Sequence, residues 1–343
     1  MDKEMTPKKP VKLPGWHSIP ALVILGLAVH LLIPQIASLQ HSWSVVREMT
    51  WWAVILAVAA QVMSYVGSGI MLHRIVKVYK QNLSVFKGAL ITLASASISL
   101  IGGGFVGGAT ATYTWIRRES RDGSTAVVAG TLPGYLYNAV LVGLALIGTL
   151  YLILLHDLTN TQLIEFGIIL LFLGGTAAAL AIALRFREAA IRFAVRLAGR
   201  YAGLRHNPFE PAPVEEAVKN FFFAWDSMRN GNWVLPFLGA VISIAFDMVT
   251  LFFMFLAAGY PVSLGVLFAG YGLPVLVGKM AFIFPGGVGI IEGSMVALYT
   301  SLKVPNPICV VVILGYRLIS FWLPTILGFV AAAYLSHKRL ELS

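Results

Sequence analysis

Residues 280–295 of this chain, MAFIFPGGVGIIEGSM, decide how the fold is interpreted. The stretch begins as an apolar run, breaks at Pro285–Gly287, turns through Gly289 and continues as an apolar segment that carries one acid, Glu292. No polar loop flanks the break on either side. Irregular backbone at membrane depth is tolerated only where it is buried in protein or lines a wet cavity. We therefore expect this break to be the tip of a helical hairpin inside a membrane protein.

The composition of the whole chain indicates a membrane protein. Hydrophobic residues make up 58% of the 343 residues and charged residues 12%, whereas soluble domains have about 45–50% and about 25%. Several apolar runs exceed the roughly 18–20 residues that are needed to cross a bilayer. Cys309 is the only cysteine, which excludes a disulfide framework and a cysteine-based metal site. The sequence has no ATP-binding loop and no HExxH motif, so we expect neither a metal nor a cofactor.

The charge of +10 also fits a membrane protein, because basic loops set topology and touch anionic lipid. Nucleic acid is therefore not an expected partner. Of the 25 Lys and Arg residues, Arg47 and Lys303 lie in predicted outer loops, and Lys279 and Arg317 lie within predicted spans. The others lie on one side, which predicts that both termini are cytoplasmic in a multi-pass protein of the cell (inner) membrane.

The apolar runs predict an all-α polytopic membrane protein with about six full spans and two glycine-rich re-entrant hairpins. We expect the first run, about 19–37, to be retained as a span rather than cleaved as a signal peptide. Residues 51–155 and 233–335 both have the order span, hairpin, span, in opposite orientations, which predicts an inverted-topology repeat. The predicted divisions are a cytoplasmic tail (1–18), a first transmembrane half (19–184, hairpin about 88–116), a basic amphipathic cytoplasmic connector (185–232), a second transmembrane half (233–336, hairpin about 262–302) and a cytoplasmic tail (337–343).

The first hairpin is predicted from residues 102–108, GGGFVGG, which interrupt an uncharged segment. Its arms would have roughly 8–13 residues, too few to cross a core about 30 Å thick at about 1.5 Å per residue. Arg117 and Arg118 follow at once, and the positive-inside rule favours a segment that dips in and returns. The second hairpin has an alternative, because residues 262–284 are long enough to cross fully. In that case two ordinary spans would be joined by a Pro-Gly-Gly turn.

The connector carries arginines at helical spacing, since Arg192, Arg196 and Arg200 lie at i, i+4 and i+8. Interleaved with apolar residues, this pattern predicts a helix that lies on an anionic membrane surface. A solvated link between the two halves is the alternative interpretation, and both can hold.

Four ionisable residues lie within the predicted spans of the second half: Asp247, Lys279, Glu292 and Arg317. Each costs about 2.5–3.5 kcal/mol at the bilayer centre, so we expect all four to face inward and to pair. The sequence does not say which pairs form. One interpretation is a static ion-pair network. The other is a polar lining for a lipid headgroup, in which the two bases contact an anion while the two acids hold the bases or exchange protons.

The two tips are predicted to complete a headgroup site. A short helix begins after each tip, so its N-terminal N–H groups would point to the centre of the protein and favour an anion such as a lipid phosphate. The glycines assigned to this site are Gly103, Gly104, Gly107, Gly286, Gly287 and Gly289.

Two motifs in the second half resemble those of a known family. Residues 285–293, PGGVGIIEG, resemble the P-x-x-G-x-x-E-G signature of the flippase-type transmembrane domain of bacterial lysylphosphatidylglycerol synthases and of its stand-alone relatives. Residues 316–324, YRLISFWLP, with Gly328 are similar to the R-x-x-x-aromatic-x-x-P…G motif of that family. The layout matches over roughly 19–335 and the motifs over 280–328. The first tip departs from the pattern P-x-R-x-G-E-x-x-R, because residues 102–108 contain neither Arg nor Glu.

The resemblance implies lipid translocation between leaflets, or a role beside lipid-modifying enzymes. We expect a flippase or scramblase-like transporter of an anionic or glycosylated lipid, such as an anionic phospholipid or a polyprenyl phosphate, whose headgroup lies between the tips. The soluble transferase domain of the synthases is not found in this sequence, so we do not expect this chain to aminoacylate lipid. Two alternatives stay open: an intramembrane enzyme that uses Glu292 and Asp247 as an acid–base pair, and a non-transporting partner subunit docked through 185–232. Homo-oligomerisation is left open as well.

Overall fold

The structure is a computed structural model that describes residues 43–101, 104–155, 160–204, 209–227, 231–280 and 285–337. Every regular element in these ranges is helical, and none of them contains a strand. The predicted first span, the predicted N-terminal tail, residues 338–343 of the predicted C-terminal tail and Gly103 lie outside the described residues.

The helices follow one another in a nearly continuous series, and a π-helical turn, Leu318–Trp322, joins the last two without a break. A 3₁₀ turn, Pro285–Gly287, precedes the short helix α11. In chain order the helices are α1 (Trp43–Glu48), α2 (Trp51–Val78), α3 (Val85–Ile101), α4 (Phe105–Ser120), α5 (Gly123–Leu155), α6 (Asn160–Arg185), α7 (Arg187–Leu204), α8 (Pro211–Ser227), α9 (Val234–Ala257), α10 (Leu264–Met280), α11 (Ile290–Ser301), α12 (Asn306–Arg317) and α13 (Leu323–His337).

Four segments of the described chain are long and apolar enough to cross a membrane: Trp51–Val78, Gly123–Leu154, Val234–Ala257 and Asn306–His337. They coincide with four of the predicted spans, and α6 covers a fifth as a helix of 26 residues. The prediction of an all-α polytopic membrane protein is therefore confirmed. The number of full spans stays a prediction, because the first predicted span lies outside the described residues.

Helices α2 and α9 pack closely and run antiparallel. A Cβ at Gly67 of α2 would lie only 2.5 Å from the backbone nitrogen of Ser243 in α9. At the start of α2, the N–H of Thr50 donates to the carbonyl of Ala257, the last residue of α9, at 2.9 Å. Small residues allow such approach between helices in lipid, where van der Waals packing drives association.

Residues 51–155 form a first unit and residues 233–335 a second, and other helices of these two units also pack on each other. Helix α5 ends the first unit and packs antiparallel on α10, the first arm of the second hairpin. Gly148 lies against the backbone of Ala269, and Gly265 lies against the ring of Tyr151. The first unit thus places its last helix against the hairpin of the second unit.

The reciprocal pairing joins α13 to α3. Here Ser97 Oγ donates to the carbonyl of Thr325 at 2.9 Å. One turn away, Gly328 lies against the backbone of Leu93, which makes this pair antiparallel as well. The corresponding helices α2 and α9 are antiparallel. The last helix of each unit, α5 or α13, packs on the first arm of the hairpin in the other unit. This is the arrangement that an inverted-topology repeat produces.

Helices α3 and α4 form the first hairpin. Its base is closed by the Lys87–Glu119 ion pair, and Ser95 Oγ lies 2.6 Å from Thr112 Oγ1 along its length. The arms have 17 and 16 residues, so the predicted length of roughly 8–13 residues is wrong. The helices continue through the flanking charged residues, which the apolar pattern did not include. Each arm is nevertheless only about 25 Å long.

Helices α10 and α11 form the second hairpin, with 17 and 12 residues. At its base, Tyr260 OH donates to the carbonyl of Lys303 at 3.4 Å. Near its tip, a Cβ at Gly287 would lie 3.1 Å from the Cα of Gly278. The base of this hairpin lies at the Thr50 end of α2, whereas the base of the first hairpin follows the Val78 end. The two hairpins therefore enter the bundle from opposite ends.

Asp122 caps the N-terminus of α5 through its carboxylate. Hydrogen bonds from the hydroxyl groups of Thr125 and Ser124 and from the Thr125 N–H lower the pKa of Asp122 to about 2. Because this pKa is lowered on folding, the ionised cap stabilises the fold above about pH 4, and its contribution is lost as the pH falls toward 2.

We expect Asp122→Ala to reduce the free energy of unfolding by about 1 kcal/mol, the usual effect of losing an N-cap. Asp122→Asn should retain most of the stability, since an amide oxygen also caps a helix. Thermal unfolding in detergent at neutral pH measures both variants. Equal melting temperatures for Asp122→Ala and the wild type would contradict the capping role.

Candidate functional site

Glu292 and Arg317 form a buried ion pair where α11 begins and α12 ends. Arg317 Nε donates to Glu292 Oε1 at 2.6 Å, and both side chains are buried. The second carboxylate oxygen, Oε2, accepts from the N–H of Gly289 at 2.7 Å. Glu292 thus caps the helix in whose first turn it lies. Both of its oxygens have partners, which is the condition under which a charged carboxylate is tolerated in an interior.

Arg317 also fastens the tip that precedes α11. Its Nη2 donates to the carbonyl of Gly286 at 3.2 Å, and its guanidinium carbon lies 4.1 Å from the ring centroid of Phe321. Gly286 has φ +65°, and a Cβ there would lie 2.5 Å from the Phe321 ring. Gly287 and Gly289 also have positive φ, so the predicted tip glycines supply a turn that other residues rarely adopt.

The π-helical turn, Leu318–Trp322, was not predicted from the sequence. It follows Arg317 directly and carries Phe321, which contacts both the guanidinium and the tip. Pro324 lacks an N–H and cannot donate to the carbonyl four residues earlier. That proline was the local signal for an irregular turn, and single π turns occur frequently at functional sites.

The tip of the second hairpin contacts the end of the first arm of the first hairpin. A Cβ at Gly286 would lie 3.0 Å from a side-chain methyl of Leu100, in the last turn of α3. Gly104 begins α4 with φ +69°, and its N–H donates to the carbonyl of Ser99 at 2.8 Å. Gly107 lines a groove on the outer face of the first hairpin. The structure therefore brings Gly286 to the last turn of α3, which is the junction of the tips, whereas a Cβ at Gly104 would meet no atom within 4 Å and Gly107 lines the groove.

Asp247 lies in the middle of α9 and is held by two tyrosines rather than by a base. Its Oδ2 accepts from Tyr271 OH at 2.6 Å and from Tyr316 OH at 2.8 Å. Across the described ranges, Asp247 has no ion-pair partner. The predicted pairing of all four membrane charges is therefore wrong for Asp247. A sequence pattern cannot bring together tyrosines from two other helices with one carboxylate.

Lys279 lies in the last turn of α10 and is exposed. Its Nζ donates to Asn138 Oδ1 at 3.1 Å and lies 5.9 Å from the ring centroid of Tyr137. No acid forms an ion pair with Lys279 among the residues that the structure describes, so its predicted pairing is wrong as well. An amide oxygen and an aromatic ring orient an ammonium without cancelling its charge.

A cluster of hydroxyl groups fixes the aromatic neighbour of Lys279. Tyr137 OH donates to Ser68 Oγ at 2.6 Å, and Ser243 Oγ lies 3.0 Å from Ser68 Oγ and 3.3 Å from Ser64 Oγ. These side chains join α2, α5 and α9 beside the lysine. Sequence reasoning missed the cluster, and its signal was the pair of serines one turn apart on one face of α2.

The connector approaches the same region through α8. Phe221 packs on Tyr135 of α5 with ring centroids 4.8 Å apart, one turn from Asn138. Arg187 of α7 forms two hydrogen bonds with Asp226 of α8, which hold the two connector helices together.

Comparison with known proteins relates the chain to membrane proteins. A family described as "Lysylphosphatidylglycerol synthase TM region" matches residues 21–328, which include both hairpins and both motif stretches.

Proteins described as UPF0104 membrane proteins are similar to shorter parts of the chain. One from Methanocaldococcus jannaschii is 28% identical over 126 residues, which cover 36% of this chain and 37% of that protein. One from Methanothermobacter thermautotrophicus is 32% identical over 136 residues, 36% and 40% of the two chains. One from Pyrococcus horikoshii is 36% identical over 89 residues, 24% of each chain. Each match thus covers less than half of the relative's length.

Proposed function

We propose that this chain, which belongs to the lysylphosphatidylglycerol synthase TM region family, moves an anionic lipid between the two leaflets of the cell (inner) membrane, with both of its termini in the cytoplasm. The observation that carries the proposal is Lys279, a base near the junction of the two hairpins whose hydrogen-bond partner is a neutral amide. A glycosylated lipid with a phosphate in its headgroup would meet the same requirement.

The energetic cost of Lys279 favours an anionic ligand. A lysine near the bilayer centre costs about 2.5–3.5 kcal/mol, and such residues usually face a wet cavity and mark a substrate path. Asn138 lies near the middle of the 33-residue helix α5, so the contact between the two places the ammonium far from both ends of that helix. A lipid phosphate at Lys279 would balance the charge, with Asn138 and Tyr137 fixing the position of the ammonium.

Both hairpins are proposed to be re-entrant. Helix α11 has 12 residues and a length of about 18 Å, which is too short for a core of about 30 Å. The arms of the first hairpin are short of that thickness as well. Since the hairpins enter from opposite ends and the second tip contacts the first hairpin, only the tips would separate the two sides of the membrane. Small movements of the tips would then open the Lys279 site to either side.

The contacts of Glu292 favour transport over the enzymatic alternative. Both carboxylate oxygens are occupied, one by Arg317 and one by the Gly289 N–H, so this acid is committed to holding the tip. Arg317 has the matching role, because it binds both Glu292 and the Gly286 carbonyl. We propose that the pair positions the tip and that Lys279 reads the headgroup.

Reconstitution in liposomes tests the proposed function. The vesicles would consist of phosphatidylcholine with a trace of acyl-chain-labelled phosphatidylglycerol, phosphatidylcholine or polyprenyl phosphate, and a membrane-impermeant reductant would bleach dye in the outer leaflet only. We expect the protein to make the inner-leaflet dye of the anionic lipids accessible faster than that of labelled phosphatidylcholine. Exchange no faster than in protein-free liposomes, for every lipid tested, would overturn the proposal. Turnover of lipid without exchange would favour the enzyme, and a stoichiometric protein that co-purifies would favour the partner subunit.

A further inference from the structure

An open groove of about 420 Å³ runs along the outer face of the first hairpin. Its walls are mostly apolar and include Ile98 of α3 and Ala111 and Trp115 of α4. The lining extends from Gly107, in the first turn of α4, to Arg118, in its last turn, and includes Ser336 at the end of α13.

The polar side chains of the groove form one stripe on α4. Thr110, Thr114 and Arg118 line the groove at i, i+4 and i+8, so they share one face of the helix over about 12 Å. The stripe leads from the tip to the base of the hairpin, where the charged residues of α4 begin.

Arg118 is the cation that lines this groove. Its neighbour Glu119 is paired with Lys87, and Arg117 donates to Tyr113 OH. Arg118 is exposed, and within the described part of the chain it forms no hydrogen bond or ion pair. Its guanidinium therefore lines an apolar groove and has its donors available to an acceptor from outside the described chain.

We propose that this groove binds one anionic phospholipid from the leaflet at the base of the first hairpin. The phosphate lies on Arg118, which matches phosphate oxygens with two parallel N–H donors. The polar part of the glycerol lies along Thr114 and Thr110, and one acyl chain follows the wall formed by Ile98, Ala111 and Trp115. A free phosphate has no apolar part to contact that wall, whereas a phospholipid can contact both the cation and the apolar lining.

The position of the groove gives the bound lipid a role as transport substrate, and this part rests on the proposed function. The polar stripe connects the membrane surface to the tip junction, so the groove is a loading site for the Lys279 site. Binding at Arg118 itself does not depend on transport.

Arg118→Gln tests the binding site, with Lys77→Gln as the matched control. Lys77 is exposed in the last turn of α2, at the same end of the bundle, and it does not line the groove. Its substitution by Gln removes one positive charge, as Arg118→Gln does. Retention of added phosphatidylglycerol by the full-length protein is measured by native mass spectrometry in detergent. We expect Arg118→Gln to reduce retention about tenfold, as the loss of a charge-assisted contact would. Lys77→Gln should match the wild type, and Arg118→Lys should be intermediate.

The outcomes separate this inference from the proposed function. Unchanged retention in both Arg118→Gln and Thr114→Val would overturn the groove site, whether or not lipid exchange occurs. Arg118-dependent retention without any exchange by the wild type would support the binding site and remove its loading role together with the transport proposal. Slower exchange of phosphatidylglycerol in Arg118→Gln, with phosphatidylcholine unaffected, would support both.

Discussion

Glu292→Ala and Arg317→Ala are each expected to destabilise the protein by about 3–5 kcal/mol, because either change leaves one buried charge without its partner. Glu292→Ala also removes the acceptor for the Gly289 N–H, and Arg317→Ala removes the donor to the Gly286 carbonyl. The tip would therefore lose its attachment in both variants.

Thermal unfolding in detergent measures this effect, and Glu215→Ala provides the control. Glu215 pairs with Lys219 one turn away on the exposed connector helix, where such a pair contributes about 0.3–0.5 kcal/mol. The double variant Glu292→Leu/Arg317→Met should recover part of the loss, since no unpaired charge remains. If Glu292→Ala lowered the melting temperature no more than Glu215→Ala does, the pair would not fasten the tip.

Lys279→Gln is expected to slow exchange of anionic lipid at least about tenfold, the effect of losing one charge-assisted contact, while leaving the fold intact. The glutamine keeps a hydrogen-bonding side chain beside Asn138 and removes only the charge. Lys279→Arg should keep a larger part of the activity, because it preserves the charge.

The liposome assay compares the initial rates of these variants with Lys77→Gln, which removes an exposed charge outside the site. Thermal unfolding checks that Lys279→Gln is folded. If a folded Lys279→Gln protein exchanged anionic lipid at the wild-type rate, the lysine would not bind the headgroup.

Local chemistry made the tip of the second hairpin predictable. The glycines after Pro285 permit positive φ at a turn, and the structure has positive φ at Gly286, Gly287 and Gly289. The limits of the hairpin arms were less predictable. Charged residues continue a helix as readily as apolar ones when they lie at its solvated end, as Lys87 and Glu119 do.

Tertiary contacts determine the partners of the membrane charges, which the sequence did not reveal. Four charges were expected to pair, but only Glu292 and Arg317 do so in the described structure. The partner of an acid depends on which helices pack together, and Asp247 meets Tyr271 and Tyr316 through two different helices. The amide that holds Lys279 comes from the other half of the chain, 141 residues away.

The most direct measurement is the accessibility of position 279 from each side of the membrane. In a Cys309→Ala background, Lys279→Cys is reconstituted into vesicles of known orientation and treated with a membrane-impermeant thiol reagent on one side at a time. Lys77→Cys and Ser301→Cys, at opposite ends of the bundle, should each react from one side only. We expect Lys279→Cys to react from both sides. Reaction from a single side, or from neither, would contradict a lipid site that both leaflets share.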